Sequence, residues 1–319
     1  MQEEGQFSLG LKKDGTYEGA KGGTEMMKEQ LFNRVNSDLL NDFNIICSRV
    51  REVDAKKKNI LWLHDTYDDP ESLHLKEAES RARFAKLIFV SNYQLSTYNL
   101  ALNVPYQQSF VMQNAIEPIE FVDKGEDQVR LIYHTTPHRG LNVLYAAVEA
   151  LAAQHGDKIH LDVYSSFKAY GWDARDKEYE SLYENIRQHP QMTYHGYQPN
   201  DVVRTALQKA HIFAYPSIWP ETSCIAAIEA MSAGCQVVCP NAAALPETTA
   251  NFAQMYQWSE DVNEHANRFA SILNHAITNQ FDENIQRKLM FQMNYTNNFY
   301  NWDLRASQWE GLLMGLRGE

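Results

Sequence analysis

Two acidic residues, Glu221 and Glu229, stand eight positions apart in the stretch Tyr215-Pro216-Ser217-Ile218-Trp219-Pro220-Glu221-Thr222-Ser223-Cys224-Ile225-Ala226-Ala227-Ile228-Glu229-Ala230-Met231-Ser232-Ala233-Gly234. An apolar run ends at Tyr215, a proline-containing loop follows, and a helical pattern then begins, with Thr222 or Ser223 expected as its N-cap. The free amides of Thr222, Ser223, Cys224 and Ile225 at such a helix start suit an anionic group. Eight residues is close to a whole number of helical turns, so Glu229 is expected on the side of the helix that carries the loop. It sits among Ile225, Ala226, Ala227, Ile228, Ala230 and Met231, where a lone carboxylate is costly. Its partner is either a ligand or a structural Arg or Lys.

Three other segments carry chemistry-capable groups. In Leu131-Ile132-Tyr133-His134-Thr135-Thr136-Pro137-His138-Arg139-Gly140-Leu141 a strand runs through a polar turn into a helix. Arg139 then lies at the mouth of the turn, either clamping a diphosphate with its guanidinium fork or simply solvated. His134 and His138 fall in a turn with Pro137, which disfavours a zinc pair. The pair Gly22-Gly23 precedes a helical pattern from about Thr24 to Leu40, and such a turn either lets a phosphate or sugar approach the backbone or is only a turn. Trp62-Leu63-His64-Asp65 closes an apolar run, and ligands of open α/β sheets bind outside the carboxyl ends of strands. His64 is therefore a substrate-contact candidate or a structural histidine. Asp65, Asp68 and Asp69 share a polar loop, read as solvated; no metal is expected.

The elements that must position these groups follow from the apolar pattern. Short runs at Phe43–Cys47, Ile60–Leu63, Leu87–Val90, Phe110–Gln113, Val129–Tyr133, Ile159–Tyr164, Met192–His195, Ile212–Tyr215 and Gln236–Cys239 read as buried parallel strands. Helical patterns such as Leu141–His155 and Val202–Lys209 alternate with them, which predicts an α/β fold with helices on both faces of parallel sheets. The polar segment Phe121–Asp127 is the expected boundary. This gives a first domain over 1–122, a second over 123–298, and a terminal amphipathic helix from 299 onward containing Trp302, Leu304, Trp309, Leu312 and Leu313. Before Gly22, Phe7-Ser8-Leu9 is the best available first strand.

Composition narrows the class. The chain has 319 residues, 44% hydrophobic and 22% charged, enough for two compact domains. Net charge is −12, and acidic residues outnumber basic ones on both sides of residue 123. Nucleic-acid binding is disfavoured, since it needs clustered Lys and Arg. Lys56-Lys57-Lys58 reads as a solvated loop or, on the sharper reading, a patch making peripheral contact with anionic lipid. No apolar run of about 18 residues is present, and the acidic start Met1-Gln2-Glu3-Glu4-Gly5 is not a signal peptide. Four cysteines with no CxxC pair point to a reducing, cytoplasmic setting.

These residues, taken in order, resemble retaining glycosyltransferase family four. Glu221 and Glu229 resemble its Glu-x7-Glu motif, Gly22-Gly23-Thr24-Glu25 its N-terminal glycine loop, and Tyr133–Leu141 its donor-phosphate loop. Phe89-Val90-Ser91, Gln113-Asn114-Ala115-Ile116, Tyr194-His195-Gly196 and Ala233-Gly234-Cys235-Gln236-Val237-Val238 are similar to further stretches of the family, and Tyr300-Asn301-Trp302-Asp303 to the start of its terminal helix. The resemblance implies a GT-B fold: two facing Rossmann-like domains, the first acceptor-side and the second donor-binding, with the terminal helix crossing back to the first. It departs from the pattern at His134, where the family often has an Arg, and at Cys235-Gln236, where Thr-Pro is usual.

The resemblance also implies roles. Glu229 would bond the donor ribose. Glu221 and the amides of Thr222, Ser223 and Cys224 would hold the donor sugar and diphosphate. Arg139 would neutralise the leaving diphosphate, His64 would contact the donor sugar, Gly22 and Gly23 would line the donor site, and Tyr197 would lie beside the base. The donor would be a nucleoside-diphosphate sugar, UDP- or GDP-linked, and the acceptor a glycan, lipid or small molecule, with no cofactor and no metal. The competing readings are a non-catalytic nucleotide-sugar-binding protein and a nucleotide-sugar epimerase on the same fold.

Overall fold

A computed structural model of the chain describes residues 10–318; Phe7-Ser8-Leu9, the expected first strand, lies outside them. The chain divides into two units. Among the described residues, one contains everything up to Ala115, together with Lys168–Ala174 and the chain from Trp302 onward. The other contains Ile116–Phe167 and Arg175–Asn301.

The first unit starts with α1 (Gly23–Arg34) and α2 (Ser37–Leu40). The sequence pattern suggested one helix here. It is split because Val35 turns extended and Asn36 caps the second helix, its side chain accepting from Asp38 N–H at 2.9 Å. Then come β1 (Phe43–Cys47), β2 (Lys58–Leu63), α3 (Ala78–Arg81), β3 (Lys86–Phe89), α4 (Asn92–Leu102) and β4 (Ser109–Val111). The strands form one parallel sheet in the order β1-β2-β3-β4. Ile46, Leu61, Leu63, Leu87 and Phe89 are buried, as strands covered on both faces require.

The second unit contains β5 (Val129–Tyr133), α5 (Leu141–His155), β6 (Ile159–Val163), α6 (Glu180–Gln188), β7 (Met192–Tyr194), α7 (Asn200–Leu207), β8 (Ile212–Ala214) and α8 (Ile225–Ser232). It continues with β9 (Gln236–Pro240), α9 (Leu245–Thr248), β10 (Gln254–Tyr256), α10 (Val262–Thr278) and α11 (Glu283–Phe299). Its parallel sheet runs β10-β9-β8-β5-β6-β7. The order reverses direction between β5 and β8. The loops leaving these two neighbours therefore diverge and leave a crevice at their carboxyl ends, the position where doubly wound sheets bind ligands.

The division falls at Ala115/Ile116 and not in the polar segment near residue 122. Ile116 is already tied to the second unit: its N–H donates to Tyr300 O at 2.7 Å and it bridges to Asn301. Ile119 N–H donates to Ser232 Oγ at 2.8 Å, and Arg204 Nη2 to Glu117 O at 2.9 Å. The last helix, α12 (Trp302–Arg317), packs on α1 and α2 within the first unit, with Trp309 edge-on to Trp62 at 5.0 Å. It begins at Trp302 because Phe299 still closes α11 and Tyr300 caps it. Among the described residues no helix is long and apolar enough to cross a membrane.

Candidate active site

In the second unit the loops after β5 and β8 are locked together. Gly140 has φ +120°, and a Cβ there would stand 2.2 Å from the Pro216 carbonyl oxygen, so only glycine permits this approach. Ile218 N–H donates to Arg139 O at 3.3 Å. Each loop is also anchored by a buried tyrosine at the end of its strand. Tyr133 Oη donates to Thr136 O at 2.9 Å in the first loop, and Tyr215 Oη donates to Glu221 Oε1 in the second. Arg139 Nη1 donates to that same Glu221 oxygen at 2.5 Å. Glu221 is buried, while the Arg139 side chain keeps a fifth of its surface in solvent. The Trp219 ring lies 5.8 Å from the guanidinium, a cation–π distance. The loops thus present a guanidinium held in place by a carboxylate and an aromatic face, at the switch point of the sheet.

The histidines of the first loop add no charge at neutral pH. Burial pushes His134 down to about 3, against a backbone hydrogen bond with Ala226. Burial, then the neighbouring Arg139 and Arg175, push His138 down to about 4. His138 stacks on Phe167 at 5.2 Å and meets the edge of Trp219 at 5.0 Å. Beside it an open groove of about 440 Å³ runs past Asn142, Tyr179, Ser181, Asn185 and Ile218.

Helix α8 starts later than the sequence suggests. Its N-cap is Cys224, without a side-chain capping bond, and Thr222 and Ser223 belong to the preceding loop, half-buried. The Cys224 thiol is buried, and that burial raises its pKa well above the ordinary range. Glu229, on the buried side of α8, faces α7. Asn200 Nδ2 donates to its two oxygens at 3.1 and 3.4 Å, and Arg204 Nη1 to Oε1 at 3.3 Å. Burial raises its pKa, while Asn200 and Arg204 pull the other way. Of the two partners left open for Glu229, the structure provides the protein one. Tyr197 follows Gly196 (φ +64°) beyond the edge strand β7 and is half-buried.

Gly22, Gly23 and His64 belong to the first unit. Gly22 caps α1, Gly23 is its first residue, and a Cβ on Gly22 would lie 2.4 Å from the Tyr170 ring. Here the glycine's openness admits an aromatic side chain of the chain itself. His64 directly follows β2. Its N–H donates to Ser48 Oγ at 2.9 Å and its ring packs 4.7 Å from Trp62. Burial, then Arg49, push it down to about 3, so it is a neutral imidazole at physiological pH. Asp65 pairs with Arg49 at 3.2 Å, and its pKa is raised by burial. Among the described residues no three His, Cys, Asp or Glu side chains gather in a way that could hold a metal ion.

The structure therefore brings together Arg139 and Glu221, with Thr222, Ser223 and Cys224 on the same loop, and sets Glu229 into a separate contact with α7. Sequence reasoning missed Tyr133 and Tyr215 as loop anchors and Asn200 and Arg204 as the partners of Glu229. The two tyrosines had one available signal: each is the polar-tipped aromatic that closes an apolar run.

The chain resembles solved structures over most of its length. A glycosyltransferase from Rickettsia africae aligns with TM-score 0.69 at 12% identity, over 95% of this chain and 84% of that one. Sucrose-phosphate synthase from Thermosynechococcus elongatus aligns with TM-score 0.63 at 16% identity, over 82% of this chain and 68% of that one. The Anabaena protein HepE in complex with UDP and glucose aligns with TM-score 0.65 at 14% identity, over 82% and 72%. At these identities the likeness is one of fold, that of the GT-B glycosyltransferases. No curated protein sequence matches the chain. The family described as "Glycosyl transferases group 1" matches residues 113–289, more than half of the chain and all of the segment holding Arg139, Glu221 and Glu229. The chain belongs to that family of glycosyltransferases.

Proposed function

We propose that this protein is a retaining, metal-independent glycosyltransferase of the Glu-x7-Glu type, moving a hexose-type sugar from a nucleoside-diphosphate sugar to an acceptor hydroxyl. The observation that carries the reading is the Arg139–Glu221 pair at the β5/β8 switch point. When the glycosidic bond breaks, negative charge grows on the diphosphate and the sugar becomes oxocarbenium-like. A guanidinium fixed in place before reaction stabilises that charge without reorganising. Positive partial charge at the start of α8 adds to it. Glu221, with the amides of Thr222, Ser223 and Cys224, meets the sugar and diphosphate; Glu229 meets the ribose and Tyr197 the base. The acceptor hydroxyl attacks from the face the diphosphate leaves, and no side chain is assigned as a covalent nucleophile.

UDP is the preferred base carrier, with GDP second, because HepE was solved with UDP and glucose on a related fold. The acceptor is a glycan, lipid or small molecule, met in the cytoplasm, and Lys56-Lys57-Lys58 offers an anionic membrane a peripheral contact. The test is a panel of UDP-, GDP- and ADP-sugars scored for hydrolysis, transfer and thermal stabilisation. Stabilisation by one donor with slow hydrolysis supports the reading. Tight binding with neither hydrolysis nor transfer to any acceptor supports a non-catalytic nucleotide-sugar-binding protein instead.

A further inference from the structure

Tyr215 is fully buried, and its ring stacks on Phe213 at 5.1 Å beneath the loop that carries Glu221. Its hydroxyl and the Arg139 guanidinium converge on one oxygen, Glu221 Oε1. Burial pushes its pKa well up, so the phenol keeps its proton and remains a donor. On the neighbouring strand Tyr133, also fully buried, holds the Thr136 carbonyl, three residues before Arg139. We propose that Tyr215 is a positioning residue for sugar transfer: its hydroxyl fixes the rotamer of Glu221, and Glu221 in turn fixes the guanidinium of Arg139. Tyr133 holds the opposite loop in the same way. The inference rests on the assignment of Arg139 and Glu221 to the donor site.

The physical case is one of competing freedom. Arg139 is long and part-exposed, and left to itself would sample several rotamers. A carboxylate that is itself anchored removes that freedom before the donor arrives, and preorganisation of this kind favours the transition state more than the ground state. The phenol, reaching up from a strand end, is a rigid anchor with few torsions to order.

The test compares four proteins: wild type, Tyr215→Phe, Glu221→Ala and the double variant. Phe keeps the ring and its stacking and removes only the oxygen. In the wild-type background Tyr215→Phe is expected to lower kcat by about tenfold with donor KM changed less than about threefold, and to lower Tm. In the Glu221→Ala background the same change is expected to leave kcat unaltered and to leave Tm unaltered or raised, because the buried O–H has already lost its acceptor. Equal losses in both backgrounds would overturn the proposal and make Tyr215 a packing residue. A wild-type protein that transfers no sugar from any donor sinks the transferase reading instead. The melting comparison, which needs no substrate, still decides whether Tyr215 holds Glu221.

Discussion

Arg139 and Glu221 are separated by 82 positions in sequence, yet Arg139 Nη1 lies 2.5 Å from Glu221 Oε1. The strand order explains this. β5 and β8 are hydrogen-bonded neighbours, so the loops that leave their carboxyl ends start side by side. The pair satisfies a buried carboxylate and also limits the directions in which the guanidinium can point. An incoming diphosphate would compete with Glu221 for the same cation.

Arg139→Ala is expected to lower kcat by roughly 10²–10³, the scale of losing one preorganised electrostatic donor. Arg139→Lys should recover part of this, because a point charge reproduces neither the fork nor the contact with Trp219. Arg139→Ala should also melt lower, since Glu221 loses its cation in a buried setting. Steady-state kinetics on a saturating donor check the first effect and melting curves the second. Wild-type kcat in Arg139→Ala would remove this loop from the catalytic machinery.

Glu229 separates binding from architecture. Its contacts with Arg204 and Asn200 predict that Arg204→Ala destabilises the protein by about 3 kcal/mol, because it removes the cation from a buried carboxylate and leaves it only the Asn200 amide. If Glu229 also meets the ribose, Glu229→Gln should raise donor KM more than it lowers kcat, since a ribose contact acts equally in ground and transition states. If it only braces α8 against α7, Glu229→Gln should lower Tm and leave the kinetics of the folded protein as they were. Melting with and without UDP, run beside kinetics, distinguishes the two outcomes.

The sheet was legible because each apolar run contains a strand whose ends differ by only a residue or two, as at Phe43–Cys47 and Val129–Tyr133. Burial on both faces makes a parallel strand continuous in hydrophobicity, which is a strong local signal. Strand β10 was missed because Gln254-Met255-Tyr256 is short, carries a glutamine and sits at the sheet edge. The helix pattern of 24–40 hid a break at Val35-Asn36, since apolar periodicity persists across it. At the site, Arg139 and Glu221 were each legible from their βα turns. Their contact was not, because it depends on β5 pairing with β8, a non-local fact. The partner of Glu229 stayed open for the same reason: Arg204 lies on α7, and only the packing of α7 on α8 brings it near.

Sugar transfer is expected to survive EDTA. The proposed chemistry places Arg139 and the start of α8 at the diphosphate, the position a divalent ion would otherwise fill. Activity abolished by EDTA and restored by manganese would refute this.

Stability should fall with pH in a defined window. His64 and His134 bind a proton near 3 and His138 near 4 in the folded chain, against an ordinary value of 6.5. Between those values the unfolded chain holds more protons. The stabilisation is therefore complete above pH 6.5 and is lost progressively as pH falls towards 3–4, at up to about 1.4 kcal/mol per pH unit for the more deeply buried His64 and His134 and at less for the part-exposed His138, which solvent screens. Asp65 and Glu229, whose pKa values burial raises, act oppositely: their burial costs more as pH rises above the carboxyl range. Denaturant unfolding of wild type and His134→Leu at pH 7.5, 6 and 5 isolates one histidine. The variant should lose less stability than wild type, by under about 1 kcal/mol in all from pH 7.5 to 6 and by roughly 1 kcal/mol from pH 6 to 5. Parallel curves would mean that His134 titrates alike folded and unfolded.

Gly140→Ala tests the lock between the two loops. At φ +120° an alanine is strained, and its Cβ would collide with the Pro216 carbonyl, a backbone atom that no rotamer change can move aside. Overpacking of this kind costs about 1–3 kcal/mol beyond the strain. Relief must come from the loops parting, which carries Arg139 away from Glu221, so kcat should fall together with Tm. Gly125→Ala is the control. It also has positive φ (+67°) but meets nothing within 4 Å. That variant should cost some stability through strain alone and keep wild-type kcat. If Gly140→Ala lowers Tm no more than Gly125→Ala and retains full kcat, the two loops are not locked through this contact, and the Gly140–Pro216 approach does not set the position of Arg139.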